Sequence, residues 1–171
     1  NALLVAICAR ALAEHPQLNA CLVDGAIHFY EPIHIALAVD TERGLVVPVV
    51  RDADKKNVLQ IAAELTQVSE KARARKISPD DMQGSCFTIT NLGGIGGGFF
   101  TPIVNLPEVA ILGVGKAATE PVFVNGIFQP RLMMPLSLSF DHRVIDGADG
   151  ARFLRWFIEA IQQPAMLSLE G

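Results

Sequence analysis

Charge is scarce in this sequence: 19% of its 171 residues are Asp, Glu, Lys or Arg, while 50% are hydrophobic. A monomer of this size covers more of itself with charge. The shortage implies burial between subunits, or a domain face left uncovered. Basic runs are missing too. With a net charge of −4 and no interleaving of aromatic and basic residues, nothing recommends nucleic acid as a partner.

Cysteine is equally sparse. Cys8, Cys21 and Cys86 are scattered and form no Cys-x-x-Cys pair. An odd count without metal-ligand spacing fits a reducing compartment, with the thiols used for packing. No long apolar run is present. The nearest, residues 3–9, has no basic segment before it, is interrupted by Arg10, and is too short for a bilayer or a signal peptide. Leu4, Ile7, Cys8, Ala11 and Leu12 recur instead at helical spacing, and Pro16 stops the pattern. Neither membrane insertion nor an exported fate is expected. Internal repeats, linkers and low-complexity segments are also lacking, so residues 1–171 read as one domain with a substantial core.

Beyond the first helix, Asp24-Gly25 and Asn125-Gly126 between apolar runs predict two hairpins. Residues 33–39 and 45–50 read as strands around a turn at 41–44, and Pro48 makes the second an edge or bulged strand. Asn57 is an N-cap for a helix to about Arg75, with Leu59, Ala62, Ala63, Leu65 and Val68 facing inward. Its end gathers Lys71, Arg73, Arg75 and Lys76, which suits the negative end of the helix dipole better than an anion site. Short strands follow at 86–90, 109–114 and 122–124. The segment 131–140 reads as one buried strand, and a helix from 147 to about 163 turns Phe153, Leu154, Phe157, Ile158 and Ile161 inward. This order gives an α/β sandwich with a mixed, largely antiparallel sheet.

Between the strands at 86–90 and 109–114 lies Asn91-Leu92-Gly93-Gly94-Ile95-Gly96-Gly97-Gly98. Glycine this dense either frees a loop or admits a ligand or a second backbone. It is not a dinucleotide fingerprint, because the proline-broken stretch after it forms no helix.

The chemistry concentrates in Ser139-Phe140-Asp141-His142-Arg143-Val144-Ile145-Asp146-Gly147. His142 stands where a strand yields to a turn, with a carboxylate on either side. That is good placement for a general base. His15, His28 and His34 have no titratable partner at a telling spacing and read as structural. His-x-x-x-Asp supplies at most two metal ligands, and no third presents itself, so no metal is expected. A nucleophile elbow of the Gly-x-Ser-x-Gly type is absent.

The run from Asp141 to Gly147 resembles the active-site signature of the dihydrolipoyl acyltransferases, the core components of 2-oxo acid dehydrogenase complexes. Chloramphenicol acetyltransferase shares its His-x-x-x-Asp-Gly part, and peptide-synthetase condensation domains carry a cousin of it. Further segments match the acyltransferases in order: Leu18-Asn19-Ala20, Gly44-Leu45-Val46-Val47-Pro48-Val49, Phe87-Thr88-Ile89-Thr90-Asn91-Leu92-Gly93, and Phe100 through Gly113. The resemblance spans essentially the whole chain. The glycine loop and the Thr101-Pro102-Ile103-Val104-Asn105 segment look most like the pyruvate-complex enzymes. Acetyl is therefore the first choice of acyl group, ahead of succinyl or branched-chain acyl.

The resemblance implies a chloramphenicol-acetyltransferase-like fold and acyl transfer between dihydrolipoamide and coenzyme A. The coenzyme and the lipoyl group act as substrates, and no metal is involved. His142 would be the base, Thr90 the hydroxyl that steadies the oxyanion, and Asp146 the residue that stiffens the histidine turn. Structural contacts are assigned to Asp141 and Arg143, and no residue is assigned to coenzyme binding. The family forms homotrimers, with His142 of one copy facing Thr90 of the next, and the trimers build cubic or dodecahedral cores. Lipoyl domains, the 2-oxo acid decarboxylase and dihydrolipoyl dehydrogenase would be partners through the full-length chain. The location would be the bacterial cytoplasm or the mitochondrial matrix. By the same resemblance the first segments of the catalytic domain, the lipoyl domain and the subunit-binding domain lie outside these 171 residues. An inactive assembly scaffold and a chloramphenicol-type acetyltransferase are the rival expectations.

Overall fold

The computed structural model describes residues 1–41, 44–74 and 76–163. Helix α1 (Ala2–Glu14) is the hub of the core. Val5, Ile7, Cys8, Ala9 and Ala11 are fully buried, and Leu12 is nearly so. The helix touches both other helices, α2 (Val58–Arg73) and α3 (Gly147–Gln162). Sequence periodicity located it through Leu4, Ile7, Cys8, Ala11 and Leu12, and Val5 and Ala9 widen the buried face beyond that stripe.

Strands β1 (Ala20–Val23) and β2 (Ala26–Phe29) form the first hairpin. Asp24 and Gly25 turn it with φ of 51° and 78°, the positive pair such two-residue turns require. The central sheet runs in the order β10-β7-β6-β3-β4, with β5 also on β3. Its members are β3 (Ile35–Thr41), β4 (Gly44–Val46), β5 (Val49–Val50), β6 (Phe87–Asn91), β7 (Ala110–Val114) and β10 (Leu136–Phe140). Strand β6 is parallel to both β3 and β7, and the remaining pairings are antiparallel. The mixed, mostly antiparallel sandwich expected from the hairpins is present, with a parallel centre.

Alternation sorts the sheet into two faces. Ile35, Leu37, Phe87, Ile89, Ala110, Leu112 and Val114 join the helices in one apolar cluster with Phe153 and Phe157. The opposite face is mostly small and polar, with Ile111 as a large apolar member. Thr88 stands in register with Ile111 and Ser139, and Thr90 with Gly113 and Ser137.

Four expectations need correction. The strand expected at 45–50 is two strands, because Pro48 has no N–H for the ladder; its carbonyl still accepts from Leu37 N–H at 2.9 Å. The single buried strand expected at 131–140 is also two. Met134-Pro135 divides β9 (Ile127–Met133), which among the described residues pairs only with β8 (Ala118–Val124) in a separate ribbon, from β10 at the sheet edge. Neither piece is fully buried: β10 is half-buried, and Leu132 on the ribbon is 74% exposed. On α2 the deep contact is Ile61, while Leu59 is 80% exposed, since the helix rests on α1 by a narrow stripe. On α3, Phe153, Phe157 and Ala160 are buried, and Ile158 faces outward. The capping of α2 is as expected: Asn57 and Gln60 satisfy each other's backbone N–H at 2.9 Å each. The basic cluster at its end is described except for Arg75; Lys71 lies 3.9 Å from Asp81.

Candidate active site

Backbone and side-chain bonds hold the turn after β10 from several directions. Asp141 N–H donates to the carbonyl of Val109 at 2.8 Å, and the Asp141 carbonyl accepts from Val144 and Ile145 at 3.0 Å each. The Asp141 carboxylate receives Arg143 through its backbone N–H at 3.0 Å, through Nε at 2.9 and 3.1 Å, and through Nη2 at 2.5 Å. Those bonds hold the Asp141 carboxyl down to about 2. Ile145, fully buried, pins the far side of the turn in the core.

Between these anchors His142 projects outward, exposed, with its ring 5.9 Å from that of Phe140. Phe140 in turn lies over Gly150, where a Cβ would come within 2.8 Å of the aromatic ring. Asp146 starts α3 as its N-cap, its carboxylate accepting from Asp149 N–H at 2.8 Å. That N–H lowers the carboxyl's pKa most, with smaller help from Ala148 N–H and from the charges of Arg152 and His142. Asp146 and His142 therefore belong to one rigid turn.

Thr90 lies elsewhere. It is half-buried on the polar face of β6 between Ala38 of β3 and Gly113 of β7, with Phe100 and Pro102 taking up the space over Gly113. In register Thr90 matches Gly113, whereas Phe140 matches Ala110, three residues back along β7. At ~3.3 Å per residue and ~4.8 Å per strand, this puts the backbones at Thr90 and His142 roughly 15 Å or more apart. The structure keeps His142 and Asp146 on one turn and leaves Thr90 at the other end of the sheet.

The glycine loop packs backbone against backbone. A Cβ at Gly115 would meet the Gly98 carbonyl oxygen at 2.3 Å, and one at Gly93 the Gly115 carbonyl oxygen at 3.0 Å. Of the two uses glycine suggested, close approach of a second backbone accounts for these positions. The chain then lays Phe100 and Pro102 over Gly113, beside the strand that carries Thr90.

One group went unnoticed in the sequence. Glu108, 2% exposed, accepts from Ser85 Oγ at 2.5 Å, Thr88 Oγ1 at 2.6 Å and Asn105 Nδ2 at 3.3 Å. Burial pushes its carboxyl up, and the three donors pull it back. An acidic residue opening an all-apolar strand was the available signal, since such a position requires partners. Of the histidines read as structural, His34 accepts Asp52 N–H at 2.9 Å, and His15 lies edge-on to Phe153 at 6.0 Å. A cleft of about 520 Å³ between α2 and β5 holds Arg51, Lys56, Glu64, Lys71 and Asp81; Lys56 pairs with Glu64, Lys71 approaches Asp81, and Arg51 donates to the Asp80 and Gln83 carbonyls, so each cation already has a partner within the chain.

Known proteins resemble the chain throughout. It is 56% identical over 155 residues to the dihydrolipoyllysine-residue acetyltransferase component of the pyruvate dehydrogenase complex of Pseudomonas aeruginosa, covering 90% of this chain and 28% of that protein. It therefore spans little more than a quarter of that relative's length. Among solved structures, the cubic core of the pyruvate dehydrogenase multienzyme complex superposes with a TM-score of 0.94 at 52% identity, over 97% of this chain and 69% of that one. The dihydrolipoamide acetyltransferase of Azotobacter vinelandii, studied for the catalytic roles of one serine, one histidine and one asparagine, gives 0.94 at 51% over the same shares. Chloramphenicol acetyltransferase, at 18% identity and a TM-score of 0.58 over 91% of this chain and 74% of its own, shares the fold. With residues 1–169 matching its catalytic domain, the chain belongs to the 2-oxoacid dehydrogenases acyltransferase family.

Proposed function

We propose that this domain transfers an acyl group, acetyl in the first instance, between dihydrolipoamide and coenzyme A. The observation that carries the reading is the placement of His142: an imidazole open to solvent on a turn that the backbone, an ion pair and a helix cap all hold rigid.

The imidazole of His142 accepts the S–H proton as sulfur bonds to the thioester carbon, which makes the thiol a thiolate as it attacks. The tetrahedral intermediate places negative charge on the former carbonyl oxygen, and the hydroxyl of Thr90 donates to it. Collapse breaks the original carbon–sulfur bond, and the departing thiolate takes the proton back from the imidazolium. No acyl-enzyme forms. Asp146 keeps the turn in position and does not itself take the proton. The Azotobacter enzyme's serine and asparagine support giving a hydroxyl and a small polar residue these two roles.

Because Thr90 lies far from His142 within one chain, the reading requires two copies, with His142 of one meeting Thr90 of its neighbour. A homotrimer provides such interfaces, and the scarcity of surface charge and the polar sheet face agree with it. The full-length protein would then form the core of a 2-oxo acid dehydrogenase complex, a cube by likeness to the solved core. It would receive lipoyl domains and hold the decarboxylase and dihydrolipoyl dehydrogenase. Three buried free thiols suit a reducing location, the bacterial cytoplasm or the mitochondrial matrix.

The test is thioester exchange between acetyl coenzyme A and dihydrolipoamide in the full-length protein. Transfer that disappears in His142→Ala while the assembly stays intact supports the reading. An assembled particle with no turnover in the wild type would make it a scaffold. Faster transfer of succinyl or branched-chain acyl groups would change the substrate but keep the mechanism.

A further inference from the structure

Glu108 adds a side-chain tie, beside the β6-β7-β10 ladder, between the two separated halves of the site within a chain. Its carboxylate takes the hydroxyl of Thr88, two residues before Thr90 and on the same face of β6. The next residue, Val109, offers its carbonyl to the N–H of Asp141, which precedes His142. Ser85 and Asn105 bond to the same carboxylate, so the chain entering β6 and the end of the glycine-loop excursion are gathered there too. A bridge to Cys21 on β1 fixes the position from behind.

Burying a carboxylate is costly, and an apolar residue at the head of β7 would avoid the cost. Three donors converging on two oxygens make sense where a precise spacing is needed. We propose that Glu108 is a positioning residue for acyl transfer, holding the strand that carries Thr90 and the turn that carries His142 in one fixed spacing. This rests on the acyl-transfer reading above. In a symmetric assembly each chain gives one half-site to each of two interfaces. An error in the internal spacing therefore misaligns every site at once.

The experiment compares Glu108→Ala, Glu108→Gln and Thr88→Val in the full-length protein. Alanine strands two buried hydroxyls, those of Ser85 and Thr88, and frees the exposed Asn105 amide. Glutamine has the same length, and either hydroxyl can rotate to accept from its amide. The expected result is a kcat about 10²-fold lower in Glu108→Ala, the cost of displacing reacting groups by an ångström or so. KM should stay unchanged, and glutamine should recover most of the rate. Thr88→Val, which removes one donor without changing shape, keeps the case testable should the alanine variant fail to fold; it is expected to lower kcat and leave KM alone. Folded variants with wild-type kcat, or a raised KM at constant kcat, would overturn the proposal.

Amide exchange separates this proposal from the function it serves. Exchange at Asp141 should quicken by about tenfold or more in the folded variants, as loss of a buried hydrogen bond allows, while α2 keeps its rate. A wild type without transfer activity would refute the acyl-transfer reading alone. Unchanged protection at Asp141 would refute the tie.

Discussion

Thr90 and His142 stand at opposite ends of one sheet, since Thr90 matches Gly113 on β7 while the strand leading to His142 ends against Ala110. A site built from both can only form between copies. Chains carrying His142→Ala and chains carrying Thr90→Ala should therefore complement when co-assembled. With random mixing in a ring of head-to-tail interfaces, about a quarter of the sites combine an intact histidine with an intact threonine. Activity well above that of either variant alone, measured on the co-expressed particle, is the expected outcome. A mixture no better than its parts would mean that the two residues do not share a site.

Replacing the hydroxyl by itself gives a sharper reading of its role. Thr90→Ala should lower kcat about 10²–10³-fold, the effect of removing one donor to an oxyanion, with KM little altered. Thr90→Ser keeps the donor and should retain most of the rate. Steady-state kinetics on the intact assembly decide between this and a packing role, for which alanine and serine would behave alike.

The two halves of the proposed site were unequally legible in the sequence. His142 and Asp146 announced themselves because a titratable cluster at a strand-to-helix turn is a local pattern, and the N-cap of α3 falls within it. Thr90 has no such local signature; residue types alone describe a strand-end threonine, and only the family resemblance singled it out. Helix α1 and both hairpins were legible for the same local reason. What sequence periodicity missed was long-range: where Pro48 and Pro135 break ladders, which face of α2 meets α1, and the partners of Glu108. These partners come from residues 85, 88 and 105 and converge only after β6 and β7 pair.

The Asp141 carboxylate makes an acid-sensitive contact in the histidine turn. Arg143 lowers its pKa from 3.8 to about 2. A carboxyl depressed in the folded state stabilises that state above its unfolded value, and the contribution fades as pH falls towards the folded one. Stabilisation by this pair should be complete above about pH 4 to 5 and disappear towards about pH 2. Carboxyl NMR should find the Asp141 midpoint near the lower value in the wild type, moving back up in Arg143→Ala. An ordinary midpoint in the wild type would show that the pair is not held in solution.

Cys8, Cys21 and Cys86 are all free and buried. Burial pushes the Cys86 thiol up to about 12 and raises that of Cys8 well above its ordinary value. Only the thiolate reacts readily, so both should resist alkylation in the native protein at about pH 8. Mass spectrometry after iodoacetamide treatment should find them unmodified until denaturant is added. Prompt labelling of Cys86 in the folded protein would mean that the start of β6 opens easily.

Gly115 provides the strictest test of how the glycine loop is used. Its N–H donates to the Pro135 carbonyl at 2.9 Å, just before β10, and the next N–H, of Lys116, donates to the Gly97 carbonyl at 2.6 Å. The Gly98 oxygen lies 2.3 Å from where a Cβ at 115 would stand, and that oxygen belongs to backbone that cannot swing aside as a side chain would. Gly115→Ala must therefore push residues 97–98 away or shift the end of β7, at a cost of about 1–3 kcal/mol for overpacking. Gly94→Ala is the matching control, since nothing lies within 4 Å of its Cβ and its φ is not positive. It should change stability by no more than about 0.5 kcal/mol. A thermal melt in which both variants behave like wild type would mean that residues 97–98 pack loosely on position 115; a loss confined to position 115 would mean that Gly115 serves the close approach of two backbones.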